Sequence, residues 1–564
     1  MSNGDNPVGY IIGGGLREGF RVRLTVPAEE VQEGSFVVCD SGRMRYYGLV
    51  TDLQLGATDP RFADEASNRL QPAIKQALLG KTLYTTLEMY PTLMLDTGPE
   101  FGTAERAQWE ESIEGPQPVK TVPAHHAAVR AANEADVAEI FGKEGLVIGH
   151  TIEQGYKIRL DLGRFVQRSS GIFGATGTGK SFLTRIVLAG LICEGEASSL
   201  IFDMHNEYAF DDQDSDNRQN VRGLKYLFGN KVQVAALGAG STVRGKLPDF
   251  TLELDTRDFE IGDINFLSET LNLTDTAGYV LSALDRAYGR DWFASFMKLN
   301  TETIYDEDGK KQAHPDSVAF WARNNNVHEA AAEALHRRLM QIYERPYVTE
   351  TPGGNAVDQI VNKLEHGEHV VLSFGNHEEE LDYLLVTNIL TRRIRQHWVG
   401  KTNNYKKSLF GSPPRPLVIA VEEAHKLLSP QVSKQTAFGT IAREMRKYFV
   451  TLLVIDQRPS GIDDEVMSQL GTRITGWLGD TDDIRAVLSG LAGREQLRGM
   501  LARLREKEEV LLLGWGVKMP IPIRSRRYDE LFYREMKACS SEKNAIVDLP
   551  EEYGMAEAND DLFP

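Results

Sequence analysis

The chain has 564 residues, 41% of them hydrophobic and 26% charged, enough for several cores at roughly 150 residues each. Its net charge of −18 excludes a uniformly basic nucleic-acid coat. It leaves room for a basic channel inside an acidic particle, because only the local field acts on a phosphate backbone. Cys39, Cys193 and Cys539 are far apart and form no CxxC or Cys/His cluster, so neither a disulfide framework nor a zinc site is expected. The first twenty residues lack the apolar core of a signal peptide, and no apolar run approaches bilayer length. The expectation is a soluble cytoplasmic protein without a membrane contact.

Residues 1–165 predict a small N-terminal β-barrel with a looser linker. Phe20–Val26 alternates, Ser35–Cys39 is short and apolar, and Arg45–Leu55 is rich in Tyr, Val and Leu, with turn residues between them. The Gly13-Gly14-Gly15 run has no Lys-Ser/Thr after it and reads as a flexible lead-in rather than a phosphate loop. His125-His126 has no partner ligands nearby in sequence. From about residue 169 short apolar runs alternate with helix-length segments. Gly171–Gly174, Ser199–Asp203, Val232–Leu237, His369–Phe374, Leu417–Val421, Thr451–Asp456, Ile474–Leu478 and Val510–Trp515 all read as buried strands. The fold class is α/β, a P-loop nucleotide-binding core of doubly wound type. Residues 166–256 form its first part and 349–535 its second. Residues 257–348 are predicted as a helical insertion, and 536–564 as an acidic mobile tail.

The strongest motif is Gly174-Ala-Thr-Gly-Thr-Gly179-Lys180-Ser181, a complete GxxxxGK[ST] between a strand and a helix. Backbone N–H groups of such a loop close around phosphates, and the following helix N-terminus adds a favourable dipole. Gly174, Thr176, Gly177, Thr178, Gly179, Lys180, Ser181 and Phe182 are thus the expected ATP contacts. Lys180 reaches the β/γ-phosphates and the Ser181 hydroxyl ligates Mg²⁺.

A second acidic strand, Leu417–Val421, runs into Glu422-Glu423-Ala-His425. Glu422 is expected in the Mg²⁺ shell, where Asp is commoner, and Glu423 is expected to polarise the attacking water. Asp203 ends another apolar strand and is expected to assist metal or water positioning, with loop capping as the alternative. Gln457, after the strand ending at Asp456, is expected to sense the γ-phosphate. Arg446, then Arg443, are the candidates for a finger reaching a neighbouring subunit's nucleotide, and Arg168 for a further approach to phosphate.

Taken in order, these pieces resemble the HerA-type DNA translocases of the HerA/FtsK group. The resemblance rests on an N-terminal barrel, Gly174–Ser181, Asp203 with Asn206-Glu207-Tyr208, Glu422–His425, Arg443–Lys447 and Gln457-Arg-Pro-Ser460. It implies a HAS-like barrel followed by a RecA-like motor, assembled as a homo-hexamer with double-stranded DNA through the pore. It implies Lys180, Ser181, Asp203 and Glu423 as ATPase residues, Arg446 as the trans finger and Arg168 as phosphate-proximal. Pro520–Arg527 looks like the brace that packs near an adjacent subunit. A NurA-type nuclease for DNA-end processing, or a sirtuin-like or nuclease effector in phage defence, is the implied partner on the barrel face. A nucleotide-gated scaffold is the alternative of another class. Candidate DNA contacts are a basic loop, Lys401–Lys407, and a basic helical run holding Arg485, Arg494, Arg498, Arg503 and Arg505.

Overall fold

Phe36–Ser41 is buried at four consecutive residues, which a strand with one solvated face cannot achieve. The computed structural model of the chain shows why. It describes residues 6–58, 83–99, 102–110, 115–213, 220–305, 311–351, 355–377, 379–408, 411–433 and 436–541. Gly9–Gly15, Gly19–Leu24, Phe36–Ser41, Met44–Ala57, Leu83–Asp96 and Ala128–Ala131 pair antiparallel and close on themselves, with the short Gln117–Pro118 strand added beside Leu83–Asp96. Successive side chains alternate across a strand. Val37 and Cys39 therefore enter the barrel interior with Phe20, Val22, Tyr46 and Leu87, while Phe36 and Val38 join the core of the larger unit. Two bulges in the long Met44–Ala57 strand, at Tyr47/Gly48 and Val50/Asp52, supply the curvature for closure.

The Gly13–Gly15 run belongs to this barrel rather than to a lead-in. Gly14 sits at φ 111°, and a Cβ there would lie 2.2 Å from the Gly19 carbonyl oxygen. The run is a hairpin rim in which Gly14 is the position that only glycine fits.

The larger unit is a twelve-stranded sheet. Its order is Phe250–Leu252, Val232–Leu237, His369–Ser373, Ser198–Asp203, Leu417–Glu422, Val450–Asp456, Ser170–Phe173 and Thr472–Thr475, all parallel. Glu509–Gly514, Ile521–Ser525, Leu146–Thr151 and Lys157–Leu160 continue it antiparallel. The central strands are buried throughout their length, as parallel strands covered on both faces must be. Leu146–Leu160 thus joins this sheet, although its position in the sequence groups it with the barrel. Within this chain, the brace candidate Pro520–Arg527 supplies the Ile521–Ser525 strand, paired to Leu146–Thr151.

Helices Ile261–Phe266, Ala277–Tyr288, Trp292–Met297, Val318–Asn324 and Glu329–Tyr343 pack around Phe293, Phe296 and Trp321. Part of the expected tail, 536–541, is the end of helix Glu530–Ser541, and 542–564 lies outside the described residues. Lys401–Lys407 is not a loop. It forms the last turns of the 28-residue helix Glu380–Lys407. The arginines from 485 to 505 do not share a helix either, since Arg485 lies on Thr481–Val487 and Arg494 and Arg498 on Arg494–Ala502. Arg503 pairs with Glu33 and Arg505 with Glu509.

The cysteine expectation is corrected. Cys193 and Cys539, 346 residues apart, form a disulfide with Cα atoms 5.8 Å apart, while Cys39 is free and buried. Helix Glu530–Ser541 lies on helix Lys180–Glu194 and brings their last turns together, a contact that no sequence spacing encodes. Thiol titration of denatured, unreduced protein should find one free thiol per chain, rising to three after reduction. Reduction should also speed amide exchange in Glu530–Ser541, because a closed loop restrains the open states of that helix.

Candidate functional site

The site lies where the parallel strands end. Register sets the ends level, since Phe173 pairs with Asp456 and Ile455 pairs with Glu422. With strands about 4.8 Å apart, the loop after Phe173 emerges beside Asp456 and one strand further from Glu422. Asp203 ends the next strand out, one residue beyond the Phe202–Val421 pair.

Gly174, Gly177 and Gly179 have φ of 157°, 79° and 84°. Gly177 and Gly179 lie in the left-handed region, where glycine alone is free of strain. At Gly174 a Cβ would lie 2.6 Å from Thr178 Oγ1. Lys180 opens helix Lys180–Glu194, and its Nζ donates to the carbonyls of Gly174 at 2.7 Å and Ala175 at 2.9 Å. Burial lowers its pKa, opposed by the charges of Glu423, Asp456, Glu207 and Glu422. An arriving phosphate would add to that opposition. Thr178 Oγ1 donates to the Ala175 carbonyl, and Phe182 packs against Tyr528 with ring centroids 6.3 Å apart.

The second half of the site is a chain of contacts. Thr176 Oγ1 donates to Gln457 Oε1 at 2.5 Å, and Gln457 Nε2 donates to Glu423 Oε1 at 3.0 Å. Glu423 has φ of 46°, a left-handed backbone that costs a residue with a Cβ about 1–2 kcal/mol. Such strain persists where the surroundings over-determine it, and it clusters at functional sites.

Glu422 is turned into the protein and is 7% exposed. Its Oε1 accepts from the Tyr208 hydroxyl at 2.6 Å, while Oε2 is buried without a hydrogen-bond partner. Burial, then the neighbouring Asp203 charge, pushes its pKa well up. An orphaned buried oxygen of this kind fits a cation. Among the described residues no group of three or more His, Cys, Asp or Glu side chains could hold a metal by itself. Mg²⁺ typically takes only one or two protein ligands and completes its shell with phosphate and water.

Asp203 has both oxygens engaged by backbone, Oδ1 by Glu207 N–H at 2.7 Å and Oδ2 by Tyr208 N–H at 2.9 Å. These bonds make it an anchor of the 207–208 loop, with one backbone donor on each oxygen. Arg168 also differs from expectation. It precedes the Ser170–Phe173 strand and the loop follows it, so about four residues of strand, roughly 13 Å, separate Arg168 from its own chain's phosphate loop. Instead it lines a cavity of about 680 Å³ with Arg164, Arg443, Arg446, Arg473 and Trp515. Arg168 stacks on Trp515 at 4.3 Å and Arg164 at 5.0 Å. Arg446 is exposed and Arg443 half-buried, with one buried guanidinium nitrogen unpaired.

Glu207, Asp456 and the role of His425 went unread in the sequence. Each stands at a strand end or just beyond one, a signal that was available. Glu207 was also tied down from the other side, because its carbonyl accepts from the Arg185 guanidinium.

The parallel sheet and its glycine loop define a P-loop nucleoside triphosphatase with a RecA-like core. Residues 146–394 match the family model for the central domain of helicase HerA. The chain is 24% identical over 529 residues to the DNA double-strand break repair helicase HerA of Saccharolobus solfataricus, spanning 92% of this chain and 91% of that protein. Against the HerA helicase of Sulfurisphaera tokodaii it is 23% identical over 551 residues, 96% and 95% of the two chains. Among solved structures it is similar to VirB4 of Thermoanaerobacter pseudethanolicus, at 16% identity and a TM-score of 0.43 over 69% of this chain and 99% of that one. The HerA matches, which together extend over nearly the whole chain, support a HerA-type protein. Among the described residues no helix is long and apolar enough to cross a membrane.

Burial raises the Asp203 carboxyl to about 6, against the two backbone donors that lower it. The folded chain is then the better proton binder. The stabilising contribution of this group is complete below the unfolded value of about 3.9 and is lost as pH rises through about 6. Calorimetry of Asp203→Asn should therefore show its unfolding midpoint rising relative to the parent between about pH 4 and pH 7.5. An offset that stays constant with pH counts against a raised Asp203.

Proposed function

We propose that the protein is an ATP-driven motor that moves double-stranded DNA, hydrolysing ATP between the subunits of a homo-hexameric ring. The observation that carries this reading is the separation of two half-sites. Lys180, Ser181, Glu422, Glu423 and Gln457 gather at one end of the sheet, whereas Arg164, Arg168, Arg443 and Arg446 line a cavity at the other. A cluster of cations that cannot reach its own nucleotide is suited to a neighbour's. Ring packing would set the cavity of one subunit against the phosphate loop of the next.

In this reading the glycine loop and Lys180 hold the β- and γ-phosphates, and the adenine end lies towards Phe182. Ser181 and Glu422 would hold Mg²⁺, which neutralises charge on the phosphates. Glu423 accepts a proton from the attacking water, and Gln457, held between Thr176 and Glu423, orients that water. Asp203 acts indirectly by fixing the 207–208 loop. Arg446 enters the neighbour's site and stabilises the transition-state charge, an effect worth about three to five powers of ten for the arginine fingers of P-loop GTPases. Arg168 and Arg443 support it. DNA contacts are to phosphate and independent of sequence, so affinity falls steeply with salt. Tyr10, Ile12 and Leu16 are exposed on the first barrel strand and its turn, and offer a docking surface for a nuclease that processes the DNA end.

DNA-stimulated ATP hydrolysis should fall at least about 100-fold in both Lys180→Ala and Glu423→Gln. Arg446→Ala should be equally inactive alone. Mixing Arg446→Ala with Lys180→Ala subunits should restore part of the rate, because some interfaces then join an intact loop to an intact Arg446. No recovery on mixing, with subunit exchange verified, would place Arg446 outside the neighbour's site.

A further inference from the structure

Glu423 is held by one contact that the proposed mechanism uses, from Gln457 to Oε1. Its other oxygen faces a second device. His425 Nδ1 lies 3.8 Å from Glu423 Oε2. That distance is an electrostatic contact rather than a hydrogen bond, and the ring is not free to turn, because Nδ1 donates to Asp456, 3.0 Å from Oδ2 and 3.1 Å from Oδ1. Asp456 is itself fixed. It is 1% exposed, and its carboxylate accepts from the backbone N–H groups of His425 at 2.6 Å and Arg458 at 2.7 Å.

The backbone adds to this clamp. The His425 N–H bond ties down the turn directly after Glu423, where the left-handed residue needs an outside restraint. Gly461 closes the other side, since a Cβ there would lie 3.2 Å from the His425 Cβ. A glutamate has three side-chain torsions, so a carboxylate without such restraints samples many directions. Catalytic groups need supporting partners that hold their direction.

We propose that His425, clamped by Asp456, is the positioning residue that aims the Glu423 carboxylate, and that it acts through Nδ1. The inference rests on the reading of Glu423 as the group that accepts the water's proton. Asp456 belongs to the same device, one step further out. Neither residue touches the nucleotide in this scheme. Their loss lowers turnover and leaves substrate binding in place.

The experiment is steady-state ATP hydrolysis by the full chain with duplex DNA, for His425→Ala, His425→Gln, His425→Asn, Asp456→Asn and Glu423→Gln. An asparagine amide nitrogen takes the place of Nδ1, whereas that of glutamine takes the place of Nε2. His425→Ala, His425→Gln and Asp456→Asn should lose about 10- to 100-fold in kcat with KM within about 2-fold, as for other orienting partners. His425→Asn should stay within about 5-fold of the parent. The double variant His425→Ala/Glu423→Gln should be no slower than Glu423→Gln alone, since two residues acting as a unit are not additive. Full kcat in His425→Ala, or equal loss in Asn, Gln and Ala variants of unchanged unfolding midpoint, overturns the proposal. The two readings fail separately. An active Glu423→Gln refutes the proposed mechanism itself, whereas an inactive Glu423→Gln beside an active His425→Ala refutes only the positioning role.

Discussion

One partly buried cation organises the chemistry of this chain. Lys180 is withdrawn from water at the end of a parallel sheet, and the field that opposes its loss of charge comes chiefly from Glu423, Asp456 and Glu207. Those carboxylates come from three separate stretches of sequence. They converge because the strands before them are level in register. The same crowding has a cost. Glu422 and Asp203 are driven towards their neutral forms by burial, and each is held by specific donors, Tyr208 for the one and the 207–208 backbone for the other. The site is an acidic nest balanced on one lysine, and a phosphate with its metal is the group that such a balance suits.

The barrel depends on the motor as well. Alternation along Phe36–Ser41 sends Val37 and Cys39 into the barrel and Phe36 and Val38 into the core shared with Phe141, Ile148 and Ile158. Leu146–Thr151 continues the motor sheet through Ile521–Ser525, so the two ends of the core meet beside the barrel. The disulfide between Cys193 and Cys539 then ties the C-terminal helix to the helix that begins at Lys180. Arg185 lies on that same helix. It stacks on Phe182, Tyr208 and Tyr528, joining the phosphate loop, the 207–208 loop and the C-terminal segment.

Much of the site was legible because its chemistry is local. Three glycines with unusual φ, a lysine and a hydroxyl must follow one another for a backbone to wrap a phosphate, so the motif survives in one dimension. The apolar runs of the core strands were legible for a related reason, as parallel strands are buried on both faces. Several misreadings had non-local causes. Lys401–Lys407 reads as a polar loop because its helix is solvated at that end, although it continues from a buried segment before it. Arg168 seemed near the nucleotide because it is twelve residues from Lys180, yet a strand between them carries it to the opposite end of the sheet. Asp456 and His425 are unremarkable alone and become a clamp only when neighbouring strands end at one level.

The sequence by itself determined the phosphate-loop motif and the run of apolar core strands along the chain, because each rests on contiguous residues whose spacing is set by backbone geometry. A net charge of −18 also meant that any polyanion would have to meet positive charge concentrated locally. The tertiary structure alone decided where that charge sits. It set Arg164, Arg168, Arg443 and Arg446 around one cavity and Glu207, Glu422, Glu423 and Asp456 around Lys180. Which side chains share a site follows from strand order and register, and those are settled by burial of the whole sheet rather than by any stretch of the chain.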